Sequence, residues 1–470
     1  MAVDKTEFKE LKKKLLSTKK NGYDRISAAD LAAMETYCEG YKKYLDIGKT
    51  ERLCAAESIR MAEEKGYRPY VRGMELKTGD KVYVCNRGKA LMLAHIGQKS
   101  LEEGAQIAAA HIDAPRLDLK PNPLYEESEL AYFKTHYYGG IRKYQWVTIP
   151  LELHGVVILK DGSSITVNIG ADEGDPKLII TDLLPHLGQE QAKKPLGSAI
   201  PAETLNLLLG SRPIGEEEES GRVKLAVIQW LNEKYGITED DFNSAELEAV
   251  PAMNACDIGL DRSMIGAYGH DDRVCGYAAL KALLDLEEAP VKTAVCILAD
   301  KEEIGSDGVT GMQSAAFDTF MEDLCASQNV PVRACFEKAF CLSTDVTAAY
   351  DPDYSEVYER RNSAYLNYGI GLCKYTGARG KSGASDADAE TVGYVRRVFD
   401  AADVIWQIAE LGKVDAGGGG TVAMYMANRN INTIDAGVPV LSMHAPYETV
   451  SKLDCYETYK GIRAIYEAKI

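Results

Sequence analysis

The chain has 470 residues, of which 46% are hydrophobic, too many for one ordinary core and enough for two domains. Its formal charge of −17 repels nucleic-acid phosphates and anionic lipid, which argues against both as partners. Residues 1–20 are Lys-rich without the apolar core of a signal peptide, and no apolar run is long enough to span a bilayer, so a soluble cytoplasmic protein is expected. The eleven cysteines form no CxxC pair, and Cys85, Cys275 and Cys296 sit in apolar runs, the pattern of buried reduced thiols.

Residues 25–67 carry helical spacing, with Leu31, Met34, Cys38, Tyr41 and Leu45 recurring at three and four, which predicts an amphipathic helix packed on a sheet. The short apolar run 107–110 stops at His111-Ile112-Asp113-Ala114-Pro115, a strand ending in ionisable residues. From 116 to 249 the texture changes. Residues 145–150, 151–159 and 164–169 alternate, while 185–219 are rich in Pro, Gly and charge and end in the acidic run 216–219. An inserted β-rich domain with a long loop is expected there.

Helical and parallel-strand patterning then resumes. Residues 274–286 predict a helix introduced by Asp271-Asp272, whose carboxylates suit a helix N-terminus. The apolar run 293–299 leads directly into Asp300-Lys301-Glu302-Glu303-Ile304-Gly305-Ser306. A buried strand that ends in paired carboxylates and then Gly delivers charge to the carboxyl edge of a sheet, where open α/β folds build their sites. Residues 339–344 predict a strand ending at Asp345, 402–411 a helix, and 438–443 a strand ending at His444. The run 417–420 is all Gly and lacks the Lys-Ser/Thr of a phosphate loop, so it reads as a tight turn beside the site.

The fold class is therefore α/β: a core from 1–115 and 250–470, with a mixed, mostly parallel sheet flanked by helices, interrupted at 116–249. His111, Asp271, Glu303, Asp345 and His444 each fall at the end of a strand or in the turn opening a helix, so one sheet edge can gather them. Taken singly, either histidine reads as a structural one and Asp271 as a helix cap. Together, two imidazoles and three carboxylates make a mixed N/O set suited to zinc, with cobalt or manganese able to replace it. Five ligands are too many for one ion, whereas two ions about 3.5–4 Å apart can share a bridging carboxylate.

This arrangement resembles the dinuclear zinc aminopeptidases, and specifically the aspartyl aminopeptidase family, number eighteen among the metallopeptidases. The resemblance covers nearly the whole chain through His111-Ile112-Asp113, Asp271-Asp272-Arg273, Glu302 to Ser306, Ser343-Thr344-Asp345 and Ser442-Met443-His444-Ala445-Pro446. It implies a zinc-peptidase-like core and an inserted dimerisation domain. It also implies that Asp271 bridges two divalent ions, that His111 and Asp345 complete one site, and that Glu303 and His444 complete the other. By the same resemblance Asp113 accepts the second ring N–H of His111, and Glu302 is the general base towards a metal-activated water. Where the family continues with a histidine three positions after its last metal aspartate, this chain has Ala348.

The implied substrates are short peptides with a free α-amine. Arg379 and Lys381 occupy the region where a cation would select an acidic first residue, although the local sequence departs from the family's stretch there and a broader or neutral preference stays open. Gly420 and Thr421 are expected to line the pocket near His444. The family's assembly, dimers building a tetrahedral dodecamer, has a Pro-His-Leu element matched by Pro185-His186-Leu187, so His186 is expected either to reach a neighbouring subunit's active site or to be structural. Two other functions fit the same pattern: a deacylase or carboxypeptidase of the same clan, and a non-catalytic assembly scaffold.

Overall fold

Consecutive apolar residues without polar alternation make Ala105–His111 and Thr293–Ala299 strands buried on both faces, and they lie side by side in the middle of a nine-stranded sheet. A computed structural model of the chain describes residues 4–216 and 219–469; Glu217 and Glu218 of the acidic run lie outside them. Across the sheet the strands run Arg68–Pro69, Lys81–Asn86, Ala90–His95, Thr293–Ala299, Ala105–His111, Phe340–Ser343, Asn432–Gly437, Ile370–Cys373 and Trp406–Ile408. Thr293–Ala299, Ala105–His111, Phe340–Ser343 and Asn432–Gly437 are parallel neighbours, with Ala299 opposite His111 and Ser343 opposite Ala109. Their carboxyl ends therefore come level at one edge.

Helices cover both faces. Ala28–Ile47, Glu51–Glu64, His270–Leu284, Ala389–Ala401 and Lys452–Tyr466 pack on one, and Ala316–Ala326, Val332–Lys338 and Ala423–Ala427 on the other. The helical region 25–67 is two helices, broken after Gly48 and restarted by the Thr50 side chain, which accepts the Leu53 N–H. Met34, Cys38, Tyr41 and Leu45 are buried as their spacing predicts, while Leu31 is exposed. Among the described residues no helix is long and apolar enough to cross a membrane.

Two expected elements differ. Residues 402–411 contain the strand Trp406–Ile408, and the helix lies earlier, at Ala389–Ala401, where Asp388 caps it by accepting the Thr391 N–H. Val404, Ile405, Trp406 and Ile408 are β-branched or aromatic and suit an extended edge. Of the expected strand 438–443, Pro439–Leu441 forms a strand in a separate five-stranded sheet, and the main-sheet strand lies just before it, at Asn432–Gly437. Gly437 sits at the crossing. A Cβ there would meet the Asp345 carbonyl oxygen at 2.0 Å, so only glycine allows the two segments to touch.

Between the first and second parts of the main sheet lies a six-stranded antiparallel sheet, in the order Ser164–Ile169, Leu151–Ile158, Ala245–Pro251, Arg116–Glu127, Leu130–Tyr138 and Leu207–Gly210. It has its own apolar cluster, built around Phe133, Trp146 and Phe242. Residues 145–150 alternate in sequence but form no strand, because Thr148 adopts a φ of 62° and Pro150 has no N–H to give a ladder. The five-stranded sheet, with Met264–Ala267 and Glu448–Ser451 paired at its centre, carries the loops that present Asp271 and His444.

Candidate metal centre

His111 ends its strand and is fully buried. Its Nε2 faces Asp271 Oδ1 at 3.2 Å and Asp345 Oδ1 and Glu302 Oε2 at 3.9 Å each. On the other side of the ring, Nδ1 lies 3.2 Å from Asp113 Oδ1 and 3.1 Å from the Asp113 carbonyl oxygen. Two acceptors at Nδ1 favour the tautomer that leaves the Nε2 lone pair facing the carboxylates.

Asp271 divides its two oxygens between two histidines. Oδ1 faces His111 and Oδ2 lies 3.2 Å from His444 Nε2, which is also 3.6 Å from Glu303 Oε2. The result is two groups of three, His111 with Asp271 and Asp345, and Asp271 with Glu303 and His444, in each of which the facing N and O atoms lie within 4.8 Å of one another. His444 adopts a left-handed φ of 65°. Buried Glu448 holds that turn by accepting the His444 N–H at 2.6 Å and the Asp271 N–H at 3.0 Å.

Glu302 and Glu303 open a short 3₁₀ turn after Lys301, itself at a φ of 68°. Their backbone N–H groups both donate to Asp113, at 3.2 Å to Oδ1 and to Oδ2 respectively. The turn sends the two neighbouring carboxylates to different surroundings: the Glu303 side chain is 3% exposed and the Glu302 side chain 19%.

The electrostatics call for a cation. Burial pushes the Glu302 carboxyl up to about 7, the Asp271 and Asp113 charges adding to it and His111 opposing. Burial and neighbouring carboxylates hold Glu303 and Asp345 well above the usual carboxylate range. Burial raises Asp271 as well, but the two imidazoles facing its oxygens outweigh it and leave that carboxyl below the usual range. Glu303 Oε1 is buried without a hydrogen-bond partner. Crowded carboxylates, an orphaned oxygen and two imidazoles form a donor set that fits divalent ions of the zinc type.

The carboxylates open into a cavity of about 450 Å³ that Gly420 and Thr421 help to line. Val346, Cys373, Leu411, Met424 and Met443 supply its apolar walls. Arg379 and Lys381 do not line it. They border an adjoining depression, where Lys381 Nζ is 3.1 Å from Asp386 and 3.9 Å from the centre of the Tyr375 ring. His186 is exposed in the inserted region, away from this cavity. Ala348 pairs with Val440 in the five-stranded sheet. Sequence reasoning missed Glu448, Tyr138 and Gly140, all of which touch the centre; the one local signal was an acidic residue four positions after His444.

The family described as Aminopeptidase I zinc metalloprotease (M18) matches residues 44–466. The chain belongs to the M18 family. A probable M18 family aminopeptidase 1 from Clostridium acetobutylicum is 48% identical over 458 residues, covering 96% of this chain and 98% of the relative. The crystal structure of an M18 aminopeptidase from Thermotoga maritima matches with a TM-score of 0.92 at 43% identity, covering 96% of this chain and 100% of that one. The S. cerevisiae mApe1 dodecamer, at 19% identity and a TM-score of 0.74 over 93% of this chain and 99% of that one, shares the fold. As an M18 member the chain is a zinc-class metallo-aminopeptidase, a hydrolase acting at peptide N-termini.

Proposed function

We propose that this M18 chain removes neutral N-terminal residues from short peptides, using two divalent ions that share Asp271. The observation that carries the two-ion reading is the division of the Asp271 oxygens between His111 and His444. His111 and Asp345 would hold one ion with Asp271, and Glu303 and His444 the other. Zinc is the expected metal, with cobalt or manganese able to replace it. When bound, the ions polarise the scissile carbonyl and lower the pKa of water towards neutrality.

Glu302 is the general base in this reading. It lines the cavity beside the ligands without belonging to either group of three, so its carboxylate is free to take a proton from the attacking water and pass it to the leaving amine. Asp113 orients His111 and, through the two backbone N–H groups it accepts, the turn carrying Glu302 and Glu303. The apolar walls, with no Lys or Arg among the lining residues, favour a neutral first side chain over an acidic one. Arg379 and Lys381 would act on an acidic residue only if the adjoining depression opened into the cavity.

The inserted region, 116–249, is the proposed dimerisation domain. Leu183, Leu184, Leu187 and Leu196 stand exposed there, an apolar surface suited to a second copy. Dimers would build towards a tetrahedral dodecamer, and His186, on the same surface, would meet a neighbour's active site. Eleven cysteines without a disulfide suit a reducing, cytoplasmic setting.

The deciding experiment is cleavage of dipeptides and aminoacyl amides with acidic, neutral and basic first residues, by chelated and then zinc- or cobalt-reconstituted protein. Metal-dependent release is expected, fastest for Leu or Met and absent for N-acetylated peptides. Cleavage of acetylated peptides would favour the deacylase or carboxypeptidase, and no release under any metal the scaffold.

A further inference from the structure

The last strand residues of the inserted sheet's Leu130–Tyr138, and the two glycines after it, lie against the metal centre although none of them belongs to the ligand set. Tyr138 is buried, and its Oη donates to Asp113 Oδ2 at 2.8 Å. Asp113 in turn faces His111 Nδ1 and accepts the Glu302 and Glu303 N–H groups. Two residues on, the Gly140 carbonyl accepts the Nδ1–H of His444 at 2.8 Å. Both imidazoles thus meet this one segment on the side away from the carboxylates, His444 directly and His111 through Asp113.

The two glycines pass close to the centre. A Cβ at Gly139 would lie 3.2 Å from Glu303 Oε2, and one at Gly140 would lie 3.2 Å from His444 Nδ1. The tyrosine ring is itself anchored. The Arg116 guanidinium lies 3.8 Å from its centre and is held by Glu51 of the core and Glu248 of the inserted sheet. An imidazole can offer Nε2 to a metal only while Nδ1 carries the proton, and the acceptor at Nδ1 sets both tautomer and ring orientation.

We propose that Tyr138 and Gly140 are positioning residues through which the inserted sheet orients both imidazoles, so that metal affinity depends on how that sheet is docked on the core. The proposal rests on the two-ion reading above. It adds a function for the insertion that is independent of assembly: a single-chain contribution to the metal centre, made by residues outside the ligand set.

Tyr138→Phe is the discriminating variant, since it keeps the ring on Arg116 and removes only the hydroxyl donor. Zinc affinity is measured by competition with a chromophoric chelator, and cobalt-loaded protein by visible absorption. One of two ions per chain is expected to weaken about tenfold, with a shifted cobalt spectrum and a lower kcat at unchanged KM. Tyr137→Phe, on the neighbouring exposed ring, should match the wild type. Gly140→Ala applies the same test to His444 and serves if Tyr138→Phe loses its near-ultraviolet circular dichroism. Wild-type affinities and an unchanged cobalt spectrum in the folded variant overturn the positioning role, even if activity falls. Fewer than two ions in the wild type overturn the two-ion reading and this proposal with it.

Discussion

Glu302 and Glu303 are adjacent in the chain and chemically identical, and their surroundings give them different work. The left-handed turn at Lys301 buries the Glu303 side chain between His444 and Asp271 and leaves that of Glu302 partly open to the cavity. In the proposed reading the buried carboxylate beside His444 is a metal ligand, and the more open one is free to move protons. Glu302→Gln should therefore keep the wild-type metal content while kcat falls at least ~10²-fold. Metal analysis beside steady-state kinetics checks both halves, and retained turnover would reassign the base. The adjacency of the pair and the Gly after it were visible in the sequence. Which of the two is the more open to the cavity was not, because a one-residue rotation about the turn exchanges them.

At the scale of elements, the parallel register does most of the assembly. Each of His111, Glu303 and Asp345 lies at or shortly after the end of a strand in the central sheet, and the pairing of Ala299 with His111 and of Ser343 with Ala109 brings those ends together. The sheet also carries a histidine far from this edge. His95 ends Ala90–His95, is 1% exposed, and has no partner at Nδ1. Burial, with some help from Lys81 across the strand pair, pushes it down to about 4 from an ordinary 6.5. The unfolded chain therefore takes up this proton first. Stability should fall as pH drops below 6.5 and stop falling through this group below about 4. The loss is at most roughly 3 kcal/mol. Urea unfolding across that range should show a flatter pH slope for His95→Gln than for the wild type, and equal slopes would remove the histidine from the account. Apolar runs made these strands legible; the 402–411 segment misled because its hydrophobic spacing suits a helix and a short strand alike, and sheet pairing with Ile370–Cys373 selects the strand.

Across the whole molecule, core and insertion meet through buried charge. Arg116 at the start of the inserted sheet contacts Glu51 at 3.5 Å, Glu248 at 3.3 Å and Asp118 at 2.7 Å. Glu51 and Glu248 are both fully buried, and Lys89 is the second cation on Glu51. Arg116→Met would strand two buried carboxylates around one lysine, an expected loss of about 3–5 kcal/mol. The same variant carrying Glu248→Gln should recover part of it. Chemical denaturation of the two variants gives the comparison, and a double variant no more stable than the single one would show that Arg116 acts by packing instead.

Sequence alone settled what local pattern can settle. Apolar runs that stop at His111, at Glu302-Glu303 and at Asp345 announce charged strand ends, and the change of texture at 116 announces a second sheet, because strand and loop preferences act over a few residues. Tertiary structure decided the rest. Tyr138, Gly140 and Glu448 reach the centre only through the register of sheets whose partners lie far along the chain, and Arg379 and Lys381 leave the cavity through the path of one loop. Hydrogen bonds between such distant segments carry no signal in neighbouring residues, so they become readable only once the chain has folded.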